Sequence, residues 1–236
     1  MKSTFRGILL KKINYSENSL ILQVFTKEAG KQSYIFQGGK KKKGNALAAL
    51  TIFDFEAYKR PESDLGKIST IDIINTDFLG TSHPLRGAIS FFFTEILIQL
   101  LNEETANTAL YNELEEEIIM LNKAKRFTNY PLWILQFAAW TQGLTPRVIN
   151  RENLIFFDIE EGGIVDHIPQ GHLYVKDPSI AWLSMCLEKT REEILALEIP
   201  ANTRKQLFEH WFNYLKYHID ELKMPKSIEI LSVVLR

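Results

Sequence analysis

Ser19-Leu20-Ile21-Leu22-Gln23-Val24-Phe25-Thr26, then Lys27-Glu28-Ala29-Gly30-Lys31, then Gln32-Ser33-Tyr34-Ile35-Phe36-Gln37: two β-prone runs enclose a polar turn, and this stretch decides the fold. Ile, Leu, Val, Phe, Tyr and Thr fill the runs as in strands. Gly30 can supply the positive φ that a hairpin turn often needs. Working outward, Phe5–Ile13 is a strand on the N-terminal side, joined through Asn14–Asn18. On the other side come Gly38-Gly39, the run Lys40–Lys43 and Asn45-Ala46-Leu47-Ala48-Ala49-Leu50, where Asn45 can cap a short helix. Thr51–Tyr58 and Lys67–Asn75 complete five strands. Five strands with a short helix between the third and fourth is the order of an OB-fold barrel.

Past residue 80 the apolar period changes from two to 3.6. Ser82-His83-Pro84 reads as a helix start, with Ser82 as cap and Pro84 in the first turn. Helices are expected over about 84–101, 107–124 and 130–142, then over about 178–197 and 203–222, with Met224-Pro225 as a stop. Between them, Leu154–Ile159 and Ile164–His167 flank Glu160-Glu161-Gly162-Gly163 as a hairpin. Ile228–Leu235 is β-prone, a strand or packed tail. The expected fold class is α+β and multi-domain. An OB-fold barrel over residues 1–80 precedes a helical domain over 81–236, with a small β-hairpin insertion near 150–175.

The 236 residues suit two small domains, and 45% hydrophobic with 24% charged is an ordinary soluble composition. No stretch approaches the ~20 apolar residues of a membrane span, and the apolar run Gly7–Leu10 is short for a signal-peptide core. A cytoplasmic protein is expected. Cys186 is the only cysteine, which excludes an intramolecular disulfide, and its apolar neighbours suggest a small buried hydrophobe. The net charge of −1 is unevenly spread. Residues 1–50 carry ten Lys/Arg against two acidic residues, a formal +8, whereas residues 81–236 carry a formal −6. The first region suits a polyanion; the second does not.

Gly39 and Gly44 bracket four lysines with P-loop spacing, but Asn45-Ala46 stands where a P-loop needs Lys and Ser/Thr for phosphate and magnesium. A P-loop is therefore rejected. Dense lysines in a Gly-flanked loop suit contact with a phosphate backbone and release of its counterions. The alternative is a solvated loop without a partner. With lysines on neighbouring strands and turns, the candidate nucleic-acid-binding set is Lys11, Lys12, Lys27, Lys31, Lys40, Lys41, Lys42 and Lys43. Phe5, Tyr15, Phe25, Tyr34 and Phe36 are the rings that could stack on bases. Tyr34 and Phe36 share one strand face, inward as core or outward as a platform, and join the candidate set.

No catalytic or metal-binding constellation is visible. The five histidines do not cluster in a ligand pattern, and there is no H-E-x-x-H, Cys pair or G-x-S-x-G. Glu113-Leu114-Glu115-Glu116-Glu117 reads as a solvated helix face; Asp158, Glu160 and Glu161 sit near a turn and are expected to face solvent.

Several segments together resemble the RecO family: Gly7-Ile8-Leu9-Leu10, Tyr15-Ser16-Glu17-Asn18-Ser19-Leu20, Val24-Phe25-Thr26-Lys27-Glu28-Ala29-Gly30-Lys31 and Gly38-Gly39-Lys40-Lys41-Lys42. His83-Pro84 with Phe93-Thr94-Glu95-Ile96-Leu97, and Leu215-Lys216-Tyr217-His218 with Lys226-Ser227, extend the likeness over nearly the whole chain. The resemblance implies a recombination mediator in DNA repair that catalyses no chemistry and needs no cofactor. Such proteins bind single- and double-stranded DNA, anneal complementary strands and, with RecR, help load RecA on DNA covered by single-strand-binding protein. It implies as partners DNA, RecR, the acidic C-terminal tail of single-strand-binding protein and, indirectly, RecA, with no membrane and with nucleoid association during repair. Arg204, Lys205, Lys216 and Lys223 are possible contributors to a pocket for that tail. The alternative function is an OB-fold adaptor for RNA or protein without a recombination role. Many relatives carry a four-cysteine zinc module; Gly143–Val165 has no cysteine, so no structural zinc is expected. Packing of Leu154, Phe156, Phe157 and Ile164 is expected to hold that region instead.

Overall fold

Each of the five N-terminal runs extends as a strand because alternate residues can be buried on one side. The computed structural model describes residues 3–41, 43–60, 63–74, 83–101, 105–149, 155–171 and 173–234. In it β1 (Ser3–Asn14), β2 (Leu20–Thr26), β3 (Gly30–Phe36), β4 (Ile52–Tyr58) and β5 (Leu65–Ile73) close into a barrel of order β1-β2-β3-β5-β4. The β3–β5 pair is parallel; β1–β2, β2–β3, β1–β4 and β4–β5 are antiparallel. This is the OB-fold topology.

Leu22, Val24, Tyr34, Phe36, Phe53, Phe55 and Ile68 meet inside the barrel. Burying such a side chain is worth roughly 1.5–3 kcal/mol. Phe55 packs edge-on to Tyr34, with centroids 5.0 Å apart, and tilts against Phe53 at 5.2 Å. A bulge at Leu10 shifts the β1–β2 register between Leu9 and Lys11, the kind of local bend that lets a strand serve two sides of a small barrel. The expected helix between the third and fourth strands is two 3₁₀ turns, Gly39–Lys41 and Lys43–Ala46. Lys42 and the side chain of Asn45 lie outside the described residues.

α1 (Pro84–Leu100) and α2 (Thr108–Lys123) follow the barrel and belong with it to one compact unit, Met1–Ala124. The 80/81 division expected from periodicity therefore differs from the division by compactness, because α1 packs on β1 and α2 stacks Tyr111 on Phe25, with centroids 6.0 Å apart. His83 occupies the cap position of α1 without a side-chain hydrogen bond; Ser82 lies outside the described residues. Asn107 caps α2 by accepting from the Leu110 N–H at 3.0 Å. In the acidic stretch of α2, Glu117 is buried rather than solvated.

The second unit, Lys125–Arg236, contains α3 (Tyr130–Thr141), α4 (Ile180–Leu187), α5 (Arg191–Ala196), α6 (Ala201–His218) and α7 (Ser227–Val234). α6 buries Leu207, Trp211, Tyr214 and Leu215, one helical face, and packs on α3. Thr190 and Glu193 form a reciprocal capping box on α5. The expected hairpin is present as β7 (Phe156–Asp158) and β8 (Gly163–Val165). It belongs to a larger sheet with β6 (Arg147–Val148) and β9 (Tyr174–Lys176), in the order β6-β8-β7-β9. Leu154 lies outside the described residues, while Phe156, Phe157 and Ile164 are buried. Ile228 onward is helix α7, not a strand: a Leu, Ile and Val run that buries one stripe is served as well by a helix. Among the described residues no helix is long and apolar enough to cross a membrane, and no three His, Cys, Asp or Glu side chains gather as metal ligands.

Candidate nucleic-acid interface

Register places the candidate lysines at two ends of the barrel. β2 and β3 pair from Thr26↔Gly30 at one end to Leu20↔Phe36 at the other. Five residue steps separate Lys31 from Phe36, about 17 Å along the strand. Lys27 and Lys31 stand at the β2–β3 turn, Lys11 stands midway opposite Gln23, and Lys12 and the lysine turns stand toward the far end.

At the far end the two 3₁₀ turns fold over the barrel mouth. Lys12 pairs with the inward Leu22, so its side chain reaches across the mouth. Its ammonium donates to Leu47 O at 2.5 Å and Gly44 O at 3.5 Å, and burial lowers its pKa. Lys12 thereby anchors the second turn. The Lys40 N–H donates to Asn18 O at 3.3 Å, tying the first turn to the β1–β2 connection. Glycine is required here by space: a Cβ on Gly44 would lie 2.6 Å from Gly39 O, and one on Gly39 would lie 2.7 Å from the Phe36 ring. The turns hold Lys41 and Lys43 exposed. Lys43 meets Asp72 at 2.8 Å, but both side chains are more than half exposed, and a pair of that kind is worth under ~1 kcal/mol. Lys11, opposite Gln23, points to the outer face. Lys42 lies outside the described residues.

At the near end the lysines are engaged with the helices. Lys31 Nζ donates to Ile98 O at 3.1 Å, in the last turn of α1. A cation in the last turn of a helix complements the helix dipole. Lys27 Nζ sits 6.0 Å from the centroid of the Tyr111 ring, the outer limit of a cation–π contact. Gly30 turns the chain at φ +69, and a Cβ there would lie 2.5 Å from Thr105 O. Arg6 pairs with Asp54 at 2.9 Å and approaches Glu115 of α2 at 3.7 Å, and the Asp54 hydrogen bond raises its pKa. This end is the seat of the helices.

Tyr34 and Phe36 require a correction. Both are 1% exposed and fill the barrel core, and desolvation pushes the Tyr34 hydroxyl up to about 12. They present no ring face for stacking. Phe25 is buried under Tyr111, and Phe5 packs on Phe55 and Tyr34. Of the five candidate rings, Tyr15 alone is largely exposed, at 62%. A residue absent from the expected set, Lys67, is exposed on β5 opposite Ile35. The alternation Gly66-Lys67-Ile68 carried that signal, since Ile68 is core and its neighbour must point outward.

Elsewhere the chemistry is structural. Asp158 is buried, not solvent-facing, because its carboxylate accepts the Glu160 and Glu161 N–H groups at 3.0 and 3.1 Å. Cys186 is buried, and desolvation pushes its thiol up to about 11, opposite to the shift that activates a nucleophile. His172 lies outside the described residues. In the second unit, α3, α6 and α7 enclose a groove of about 460 Å³. Leu132, Phe208, Met224, Ile228 and Leu231 supply its apolar wall, and Arg204, Lys205 and Glu209 its charges. Arg204 donates to Ile199 O at 3.0 Å, and burial lowers its pKa. Lys216 and Lys223 are not among the lining residues.

These features define an OB-barrel protein with one basic end, followed by a helical unit carrying an apolar groove. Residues 1–76 match the family model described as "Recombination protein O N terminal". Over nearly its whole length the chain is similar to curated proteins named "DNA repair protein RecO". It is 28% identical to that of Flavobacterium psychrophilum over 248 residues, covering 99% of each chain. It is 24% identical to that of Phocaeicola vulgatus over 231 residues, covering 96% of each, and 24% identical to that of Porphyromonas gingivalis over 238 residues, covering 97% of each. The N-terminal barrel thus resembles the N-terminal domain of recombination protein O, and the chain as a whole is similar to DNA repair proteins named RecO.

Proposed function

We propose that this protein is a non-enzymatic recombination mediator that binds DNA through the far end of its barrel. The observation that carries the reading is that Lys41 and Lys43 are held exposed by 3₁₀ turns that Lys12 and the glycines brace, with Lys11 outward on β1. Of these, only Lys43 has a described ion-pair partner, the exposed Asp72. A phosphate backbone can displace that weak pair and engage the lysines without reading sequence. Binding free energy, rather than chemistry, then anneals complementary strands and remodels DNA covered by single-strand-binding protein, with RecR, for RecA.

The groove of the second unit is proposed to receive the acidic tail of single-strand-binding protein. Its apolar wall suits apolar side chains, and Arg204 and Lys205 supply the complementary charge. Titrating the full chain with single-stranded DNA, duplex DNA and RNA at several salt concentrations tests the DNA reading. Both DNA forms are expected to bind, with affinity falling steeply with salt; RNA binding with no DNA binding would favour an RNA adaptor.

A further inference from the structure

The outer face of the barrel between the two lysine groups carries a second pattern. Register aligns Lys11, Gln23, Ser33 and Leu65 in one row across β1, β2, β3 and β5, and Ile13, Ile21, Ile35 and Lys67 in the next. These positions are outward because their neighbours Leu22, Tyr34, Phe36 and Ile68 are core. The Tyr15 N–H donates to Ser19 O at 3.1 Å, so the β1–β2 ladder continues for one more step. By period-two alternation Tyr15 is the next outward position after Ile13. Tyr15 is 62% and Ile13 43% exposed. An aromatic ring and a β-branched side chain thus stand in water beside each other, where neither supports the core. Lys11 lies along the same strand, Lys67 ends the isoleucine row, and the first lysine turn is bonded to Asn18 of the same connection. Glu17 is the only acidic residue within that connection.

Cations on a surface that also exposes a flat ring favour an occupant with both phosphates and accessible ring faces. Duplex DNA offers phosphates and groove edges but no accessible ring faces, its bases being stacked. An unpaired strand offers both. We propose that Tyr15, on the outward face it shares with Ile13, stacks on an unpaired base and gives this surface a single-strand-specific contribution that the lysines alone lack. The proposal rests on the DNA-binding reading above.

The test compares wild type, Tyr15→Ala and Tyr15→Trp in anisotropy titrations with a labelled oligothymidylate and a labelled duplex of matched length. Tyr15→Ala is expected to weaken single-strand binding by roughly tenfold, the typical scale of one lost stacking contact, and to leave duplex binding unchanged. Tyr15→Trp is expected to retain single-strand binding, and its indole fluorescence to be quenched by the single strand. Because Tyr15 is exposed, equal melting temperatures for all three proteins are expected. Equal losses on both DNA forms, or no loss on either, would overturn the stacking role while leaving the lysine interface standing. No DNA binding by the wild type would overturn both.

Discussion

Lys31 and Lys41 are the same side chain on the same small barrel, yet they do opposite work. Lys31 is close to a helix end, and its ammonium is spent on Ile98 O. Lys41 follows the glycines at the other mouth, where the chain folds into a 3₁₀ turn and the side chain stays exposed. The near end is covered by α1 and α2, so Lys27 and Lys31 are only partly exposed and contact the helices; the far end carries only short turns, from which Lys41 and Lys43 stay exposed. A count of basic residues in a domain therefore overstates a polyanion site by those that serve the fold.

The difference can be broken by mutation. Replacing Lys40, Lys41, Lys42 and Lys43 together by Ala is expected to cause the largest effect. DNA affinity should fall by roughly two orders of magnitude at moderate salt, and the log–log salt slope should flatten by up to ~0.7 per lost contact on single strands. An unchanged slope would remove this end from the interface. Lys12→Met sharpens the comparison, because Lys12 is at the proposed DNA-binding end but bonded to the fold. It should cost about 1 kcal/mol of stability on thermal melting, the scale of a hydrogen bond, and weaken DNA binding only by loosening the second 3₁₀ turn. Lys31→Met should likewise cost about 1 kcal/mol through the lost helix-end contact while leaving DNA affinity intact. Lys27→Ala should cost less, about 0.5 kcal/mol or under, because its ring contact is long. DNA binding lost with Lys31 but not with Lys41 would invert the assignment of the two ends.

Much of this was legible in the sequence. Five strands, their order and the hairpin at Gly30 follow from alternation and turn chemistry, and the barrel closes as that order requires. The charge asymmetry also pointed to the N-terminal region. The ends of the barrel were not legible, because which lysines share an end depends on cross-strand register, and register is set by pairings distant in sequence. Tyr34 and Phe36 illustrate the same gap: their shared face was readable, but its direction needed the closed barrel that buries them. Asp158 looked solvent-facing because its burial depends on two turn N–H groups that composition does not reveal. Ile228 onward was ambiguous because a short apolar run suits either helix or strand.

The most direct test of the two-ended barrel is lysine acetylation of the intact protein, read residue by residue by mass spectrometry with and without saturating single-stranded DNA. Lys11, Lys41 and Lys43 are expected to be strongly protected by DNA, while Lys27 and Lys31 react slowly and equally in both states. Protection confined to Lys27 and Lys31, with Lys41 and Lys43 modified at the same rate whether or not DNA is bound, would contradict the account.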